Sequence, residues 1–144
     1  MNDLALKVFA KTVQVGSVYR FIDHSDTELK PHFFVILNSH PLEAPELVFV
    51  YATSKVEKKR RILRYYGYHP DTMIEVGPKD CPFLTLPSVF DCNNLKKFSI
   101  EKIVYKLDRS EIQYVCVVDT GILKRLQKGV LISRAVSKDV KELI

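Results

Sequence analysis

The sequence predicts a mainly β fold with α, of the α+β class: a small antiparallel barrel or tightly curled sheet with helices at its C-terminal end. Three observations predict it. Short strand-like runs crowd the chain before residue 100 and are broken at close intervals by Gly and Pro. From Asp119 onward the apolar residues instead recur at the three-and-four spacing of amphipathic helices. The 144 residues, 47% hydrophobic and 27% charged, suffice for one domain with its own core and not comfortably for two. The expected layout of residues 1–144 is a single domain, with a barrel core over 14–108 and a helical extension over 109–144.

The elements follow in order. Leu4, Leu6, Val8, Phe9 and Val13 suit a short helix or an irregular arm, and Gly16 then punctuates. SVYRFID alternates as a strand does. DHSDTELKP is polar, ends in Pro31 and reads as a loop. HFFVILN is the second strand, NSHPLEAPE a proline-containing turn, and ELVFVYAT the third strand. The near-continuous apolar run of that third strand predicts cover on both faces. KVEKKRRILRYYGYHP forms about two helical turns, with Gly67 and Pro70 as stops.

TMIEVG and PSVFDCNN are short strands joined by KDCPFLTLP. Two prolines restrict pairing there and place that connection on the surface or at an edge. FSIEKIVYKL reads as strand or helix, and the spacing of Ile100, Ile103, Val104 and Leu107 favours helix. Ile122, Leu123, Leu126, Val130 and Leu131 line an amphipathic helix capped by Asp119 or Thr120. A last short helix follows, capped by Ser137.

Composition narrows the function classes. The longest apolar runs are too short to span a bilayer, so no membrane association is expected. The first residues, interrupted by Asp3, Lys7 and Lys11, lack the apolar centre of a secretory signal. Three irregularly spaced cysteines fit reduced thiols in the cytoplasm better than a disulfide framework. No closely spaced Cys or His pair predicts a metal site, and no cofactor is expected. The net charge of +5 permits an anionic partner. Six of the ten residues from Lys55 to Arg64 are basic, which makes either a solvated helix face or a phosphate-contacting patch.

GSVYRF, KPHFFVIL, LVFVYATSK and SVFDCNNL, in that order, resemble the PemK/MazF-like toxins of toxin–antitoxin systems. The matching places are Gly16-Ser17-Val18, Lys30-Pro31, Thr53-Ser54 and Asp91-Cys92-Asn93-Asn94, and the resemblance covers Val15 to Leu95. It implies an SH3-like barrel, a homodimer, an endoribonuclease acting on single-stranded RNA, and a cognate antitoxin as partner. Some relatives with the same barrel bind a target without cutting RNA, so the alternative is a non-catalytic interaction protein. Three features depart from the family pattern. Lys30 replaces an arginine and loses its bidentate fork, Ser17 replaces an aspartate, and the segment after Asp108 lies beyond the resemblance.

Cutting RNA without a metal needs a base for the 2′-hydroxyl, a stabiliser for the charged phosphorane and an acid for the leaving 5′-oxygen. On this reading Lys30 stabilises charge and His32 is the acid or base. Thr53 and Ser54 hold the scissile phosphate, and Lys55 contacts a neighbouring one. Asp91 orients His32 or acts as the base itself. Lys58, Lys59, Arg60 and Arg61 contact the RNA backbone, and Asn93 and Asn94 read base edges. Each has a plainer alternative: His32 satisfying a local carbonyl, Thr53 and Ser54 capping the next segment, Asp91 to Asn94 forming a turn. His24, His40 and His69 read as surface residues. Tyr65, Tyr66 and Tyr68 either stack on bases or pack the barrel.

Overall fold

The computed structural model describes residues 3–144. Helix α1 (Asp3–Thr12) precedes β1 (Ser17–Phe21), β2 (His32–Ile36) and β3 (Leu47–Thr53), and α2 (Val56–Tyr66) follows directly. Next come β4 (Met73–Val76), β5 (Ser88–Asp91), β6 (Lys96–Phe98) and α3 (Ile100–Asp108). Then come β7 (Ile112–Val117), α4 (Thr120–Ile132) and the short α5 (Lys138–Lys141).

The strands make one seven-stranded sheet in the order β4-β5-β3-β2-β1-β7, with β6 also on β3. Every pairing is antiparallel. The sheet curls around β3, the longest strand. One edge of β3 pairs β2, and the other is shared by β6 at Leu47–Phe49 and β5 at Ala52–Thr53.

The expected α+β class is what forms, but the sheet is open, because its end strands β4 and β7 do not pair. Helix α4 bridges them instead. Near its start, Leu123 abuts Gly16, where a Cβ would lie 3.3 Å from the leucine side chain. Near its end, Gly129 lies so close to the other sheet end that a Cβ would meet the Asp71 carbonyl and Cys92 Sγ at 2.9 Å.

Strand alternation sends side chains to two separate cores. Tyr19, Phe21, Phe34, Ile36 and Phe49 face α1 and α3, packing with Phe9, Val13, Ile103 and Val104. Val18, Val35, Leu37, Val50 and Ala52 face α4, packing with Ile122, Leu126 and Val130. That two-sided cover explains the apolar run of β3, in which only Tyr51 is not fully buried.

Local chemistry sets the element ends. Gly67 stops α2 at φ 64°, donating to the Arg64 carbonyl while Tyr68 donates to Leu63. Asp119 caps α4 by accepting the Ile122 N–H, and Ser137 caps α5 by accepting that of Val140. Helix α2 is eleven residues long, a turn more than expected.

One expectation needs correcting and another needs refining. The segment after residue 108 is not all helix, since Ile112–Val117 pairs with β1 as an edge strand. Only Ile112 of it is fully buried, so its sequence carries little apolar alternation. The KDCPFLTLP connection is unpaired, as its prolines require, and it runs at the surface beside the edge strand β4 as expected, with two side chains turned inward. Tight turns drive Cys81 and Leu84 into the core beneath α4.

Candidate functional site

The site is built where β2 begins, β3 ends and α2 starts. Phe34 pairs with Tyr51 across β2 and β3, and carrying that register two residues further sets His32 opposite Thr53. Because alternate residues share a face, His32, Tyr51 and Thr53 belong to the same side of the sheet. Thr53 Oγ1 accepts the Lys55 N–H at 3.3 Å, turning the chain into α2. Lys55, Lys58, Lys59 and Ile62 then fall at three-and-four spacing on one helix face. Together with Asp26, Thr27 and Glu28 of the β1–β2 loop, and with Asn94, these residues line a pocket of about 220 Å³.

The electrostatics divide the pocket into roles. His32 is buried, its ring edge-on to Tyr51 at 5.2 Å. Burial holds its pKa below the ordinary 6.5, and the Lys30 charge adds to this against the opposing pull of Asp26 and Asp23. The imidazole is therefore neutral at pH 7 and free to accept a proton. Burial, with the carboxylates of Asp26, Asp91 and Asp23, raises the Tyr51 phenol above its ordinary 10. It stays protonated, and its oxygen accepts the Asn94 amide at 3.3 Å.

Lys59 donates to Asp91 at 3.0 Å, with 11% of the lysine side chain and 6% of the aspartate side chain exposed. The other Asp91 oxygen accepts the Asn93 N–H at 2.9 Å and its side-chain amide at 3.1 Å. Nearby, burial alone would raise the Asp23 carboxyl, but the Ser25 hydroxyl and N–H and the Lys96 charge outweigh it and hold it low.

By sequence, the chain matches no protein-family model and no curated protein. By structure, it superposes on an endoribonuclease solved in complex with its cognate antitoxin, from a mycobacterial species. The TM-score is 0.52 at 14% identity, over 88% of this chain and 96% of that one. The two chains share a fold. The shared part is larger than the Val15–Leu95 stretch that carried the sequence resemblance, so it reaches into the segment after Asp108.

Of the residues singled out by sequence, the pocket gathers His32, Thr53, Lys55, Lys58, Lys59 and Asn94. Lys30 is not in its lining. It is half exposed and pairs with Glu28 at 3.4 Å, and Glu28 also pairs with Lys55. Ser54 is exposed and uses its carbonyl to accept the Val56 N–H. Arg60 turns to Glu57 and Glu75, because one residue beyond Lys59 is a rotation of about 100° around the helix. Arg61 is exposed outside the pocket.

Asp91 takes Lys59 and Asn93 as its partners rather than His32. The Asn93 side chain is engaged within the fold rather than held free to read a base. Its amide donates to Thr72 Oγ1 at 2.8 Å, and its oxygen accepts Ser133 at 2.7 Å, tying the β5 turn to the end of α4. His24, His40 and His69 are exposed as expected, and His69 caps the turn at Pro70–Thr72.

Sequence reasoning missed Asp26, Thr27, Glu28, Tyr51 and Ile62. Tyr51 carried a signal, standing two residues before Thr53 on the same strand, and Ile62 stood at helical spacing from Lys55 and Lys59. The loop acids carried none, because a charged loop reads as solvated wherever it folds. Among the described residues no group of three or more His, Cys, Asp or Glu is placed to hold a metal ion. Cys81, Cys92 and Cys116 are free thiols whose pKa values are raised by burial, that of Cys81 to about 11. None of them is a ready nucleophile. No helix among the described residues is long and apolar enough to cross a membrane.

Proposed function

We propose that this chain is a toxin-like endoribonuclease that cuts single-stranded RNA without a metal ion and is held in check by a cognate antitoxin. One observation carries the reading: a buried His32, its pKa held below the ordinary value, shares one pocket with Thr53 and the lysines at the start of α2. The fold shared with an endoribonuclease supports it.

In the proposed reaction His32 takes the proton from the 2′-hydroxyl, and the 2′-oxygen attacks phosphorus. Thr53 and the Lys59 ammonium meet the charge that builds on the phosphate oxygens. The bond to the 5′-oxygen breaks, and that oxygen takes a proton from the Tyr51 phenol. The products are a 2′,3′-cyclic phosphate and a free 5′-hydroxyl. Lys59 thus assumes the role expected of Lys30, and Asp91 positions it. Lys55 and Lys58 attract the neighbouring phosphates. The protein acts as a homodimer in the cytoplasm, and its antitoxin lays an acidic segment over the lysine face of α2.

The second reading is a non-catalytic target-binding protein. It is favoured by Lys30 lying outside the pocket and by Glu28, whose carboxylate holds Lys55 where a phosphate would sit. Incubating a long single-stranded RNA with the protein in EDTA, beside matched DNA, separates the two. Discrete cuts in RNA alone, slowed about 100-fold or more in His32→Ala or Thr53→Ala, are the expected result. Intact RNA from a folded protein that still arrests growth transfers the assignment to target binding.

A further inference from the structure

Beyond the pocket, α2 ends in an uncovered group of aromatic rings. Tyr65 is 83% exposed and Tyr66 52% exposed. The Tyr65 ring stands edge-on to Tyr66 at 4.9 Å, and Tyr66 lies stacked on Tyr68 at 5.4 Å. Arg134, arriving from the turn after α4, caps the stack with its guanidinium 5.5 Å from the Tyr68 ring and donates to the Tyr66 carbonyl. Arg61 and Arg64 are exposed on the same helix, which buries none of its residues. Tyr65 and Tyr66 are left open to water, and the half-buried Tyr68, held between Tyr66 and Arg134, anchors them.

Their placement says what they serve. Lys58 lines the pocket, Arg61 lies three residues on, and Tyr65 four beyond that, so one stripe of the helix joins pocket to rings. At the helical rise this stripe is about 10 Å long. A positively charged track ending in stackable aromatic faces is what a flexible single strand needs: cations for its phosphates, rings for its bases. Arginine beside tyrosine strengthens both contacts.

We propose that Tyr65, Tyr66 and Tyr68, with Arg61, Arg64 and Arg134, form a second binding site, a stacking platform for single-stranded nucleic acid that leaves the pocket along α2. The platform rests on the endoribonuclease reading for the path of the strand but not for its scission. It recognises bases by their faces, so it is tolerant of sequence and of the sugar.

A fluorescent single-stranded deoxythymidylate tests it, because DNA has no 2′-hydroxyl and is not cut. The two probes are one of roughly 15 nucleotides, which reaches the platform, and one of about four, which fills the pocket alone. Tyr65→Ala is expected to weaken the long strand by at least about fivefold and leave the short one unchanged. Tyr65→Phe, which keeps the ring, restores parental binding. Equal affinity of parent and Tyr65→Ala for the long strand overturns the proposal, as does a parent that binds both lengths equally. Polyglutamate binding that falls in Tyr65→Ala while strand binding holds assigns the rings to an acidic protein partner and overturns it too. An RNA left uncut in the cleavage assay changes none of these readings, so the two proposals fail separately.

Discussion

Replacing Asp91 with alanine should be far more damaging than a surface carboxylate would suggest. The carboxylate and Lys59 meet at 3.0 Å, with 6% and 11% of their side chains exposed. Removing one partner of a buried pair leaves the other charge poorly solvated, which costs about 3–5 kcal/mol. Asp91→Ala also strips Asn93 of the acceptor for its N–H and amide. With 144 residues and an unfolding entropy of about 2.1 cal/mol/K per residue, each degree of Tm corresponds to roughly 0.3 kcal/mol. A loss of about 3 kcal/mol therefore lowers the Tm by about 10 °C.

Lys59→Met strands the aspartate but leaves it the two Asn93 bonds, so its loss should be the smaller. Thermal unfolding of both single variants and the double variant closes a mutant cycle. The expected coupling is at least about 1.5 kcal/mol. A fall of less than about 3 °C for Asp91→Ala refutes the reasoning, as do single effects that add to the double within about 0.5 kcal/mol.

Two further outcomes follow from the same geometry. His32 has a folded pKa below its ordinary 6.5, so above pH 6.5 neither state holds the extra proton and it gives no slope. Below pH 6.5 the unfolded chain protonates first, and stability falls until pH passes the lowered folded value. His32→Gln should flatten the Tm profile on the acid side of pH 6.5, whereas Asp23, also lowered, acts only below its ordinary 3.8. A profile parallel to the parent's would refute this. Gly129→Ala puts a methyl 2.9 Å from the Asp71 carbonyl and Cys92 Sγ and 3.2 Å from Ile74. Overpacking of that kind costs about 1–3 kcal/mol despite alanine's better helix propensity, and a Tm equal to or above the parent's would show that α4 yields freely.

Much of the architecture was legible in the chain itself. Strands β1, β2 and β3 announced themselves by apolar content and alternation, and α4 by its spacing and its Asp119 cap. These are local properties, set by the backbone preference of each residue and by the periodicity of its neighbours. Strand β7 was not legible, because an edge strand with one buried side chain leaves no pattern to read. The inward turn of Cys81 and Leu84 was hidden too, since prolines report that a segment cannot pair but not which of its side chains reach the core.

The site divides along the same line. Sequence alone determined the chemical inventory: a histidine opening one strand, a threonine closing another, and a basic helix beside them. Tertiary structure decided which of these groups meet. Register brought His32 opposite Thr53, 21 positions apart in the chain. Rotation around α2 turned Lys55, Lys58 and Lys59 into the pocket and Arg60 out to Glu75, fifteen residues away. Asp91, 32 positions from Lys59, became the group that holds it rather than a partner of His32. Charge and hydroxyl content are carried by single residues and can be read in any order. Proximity between distant residues is a property of the folded sheet and its helices, because only packing sets the distances over which a proton or a phosphate charge is felt.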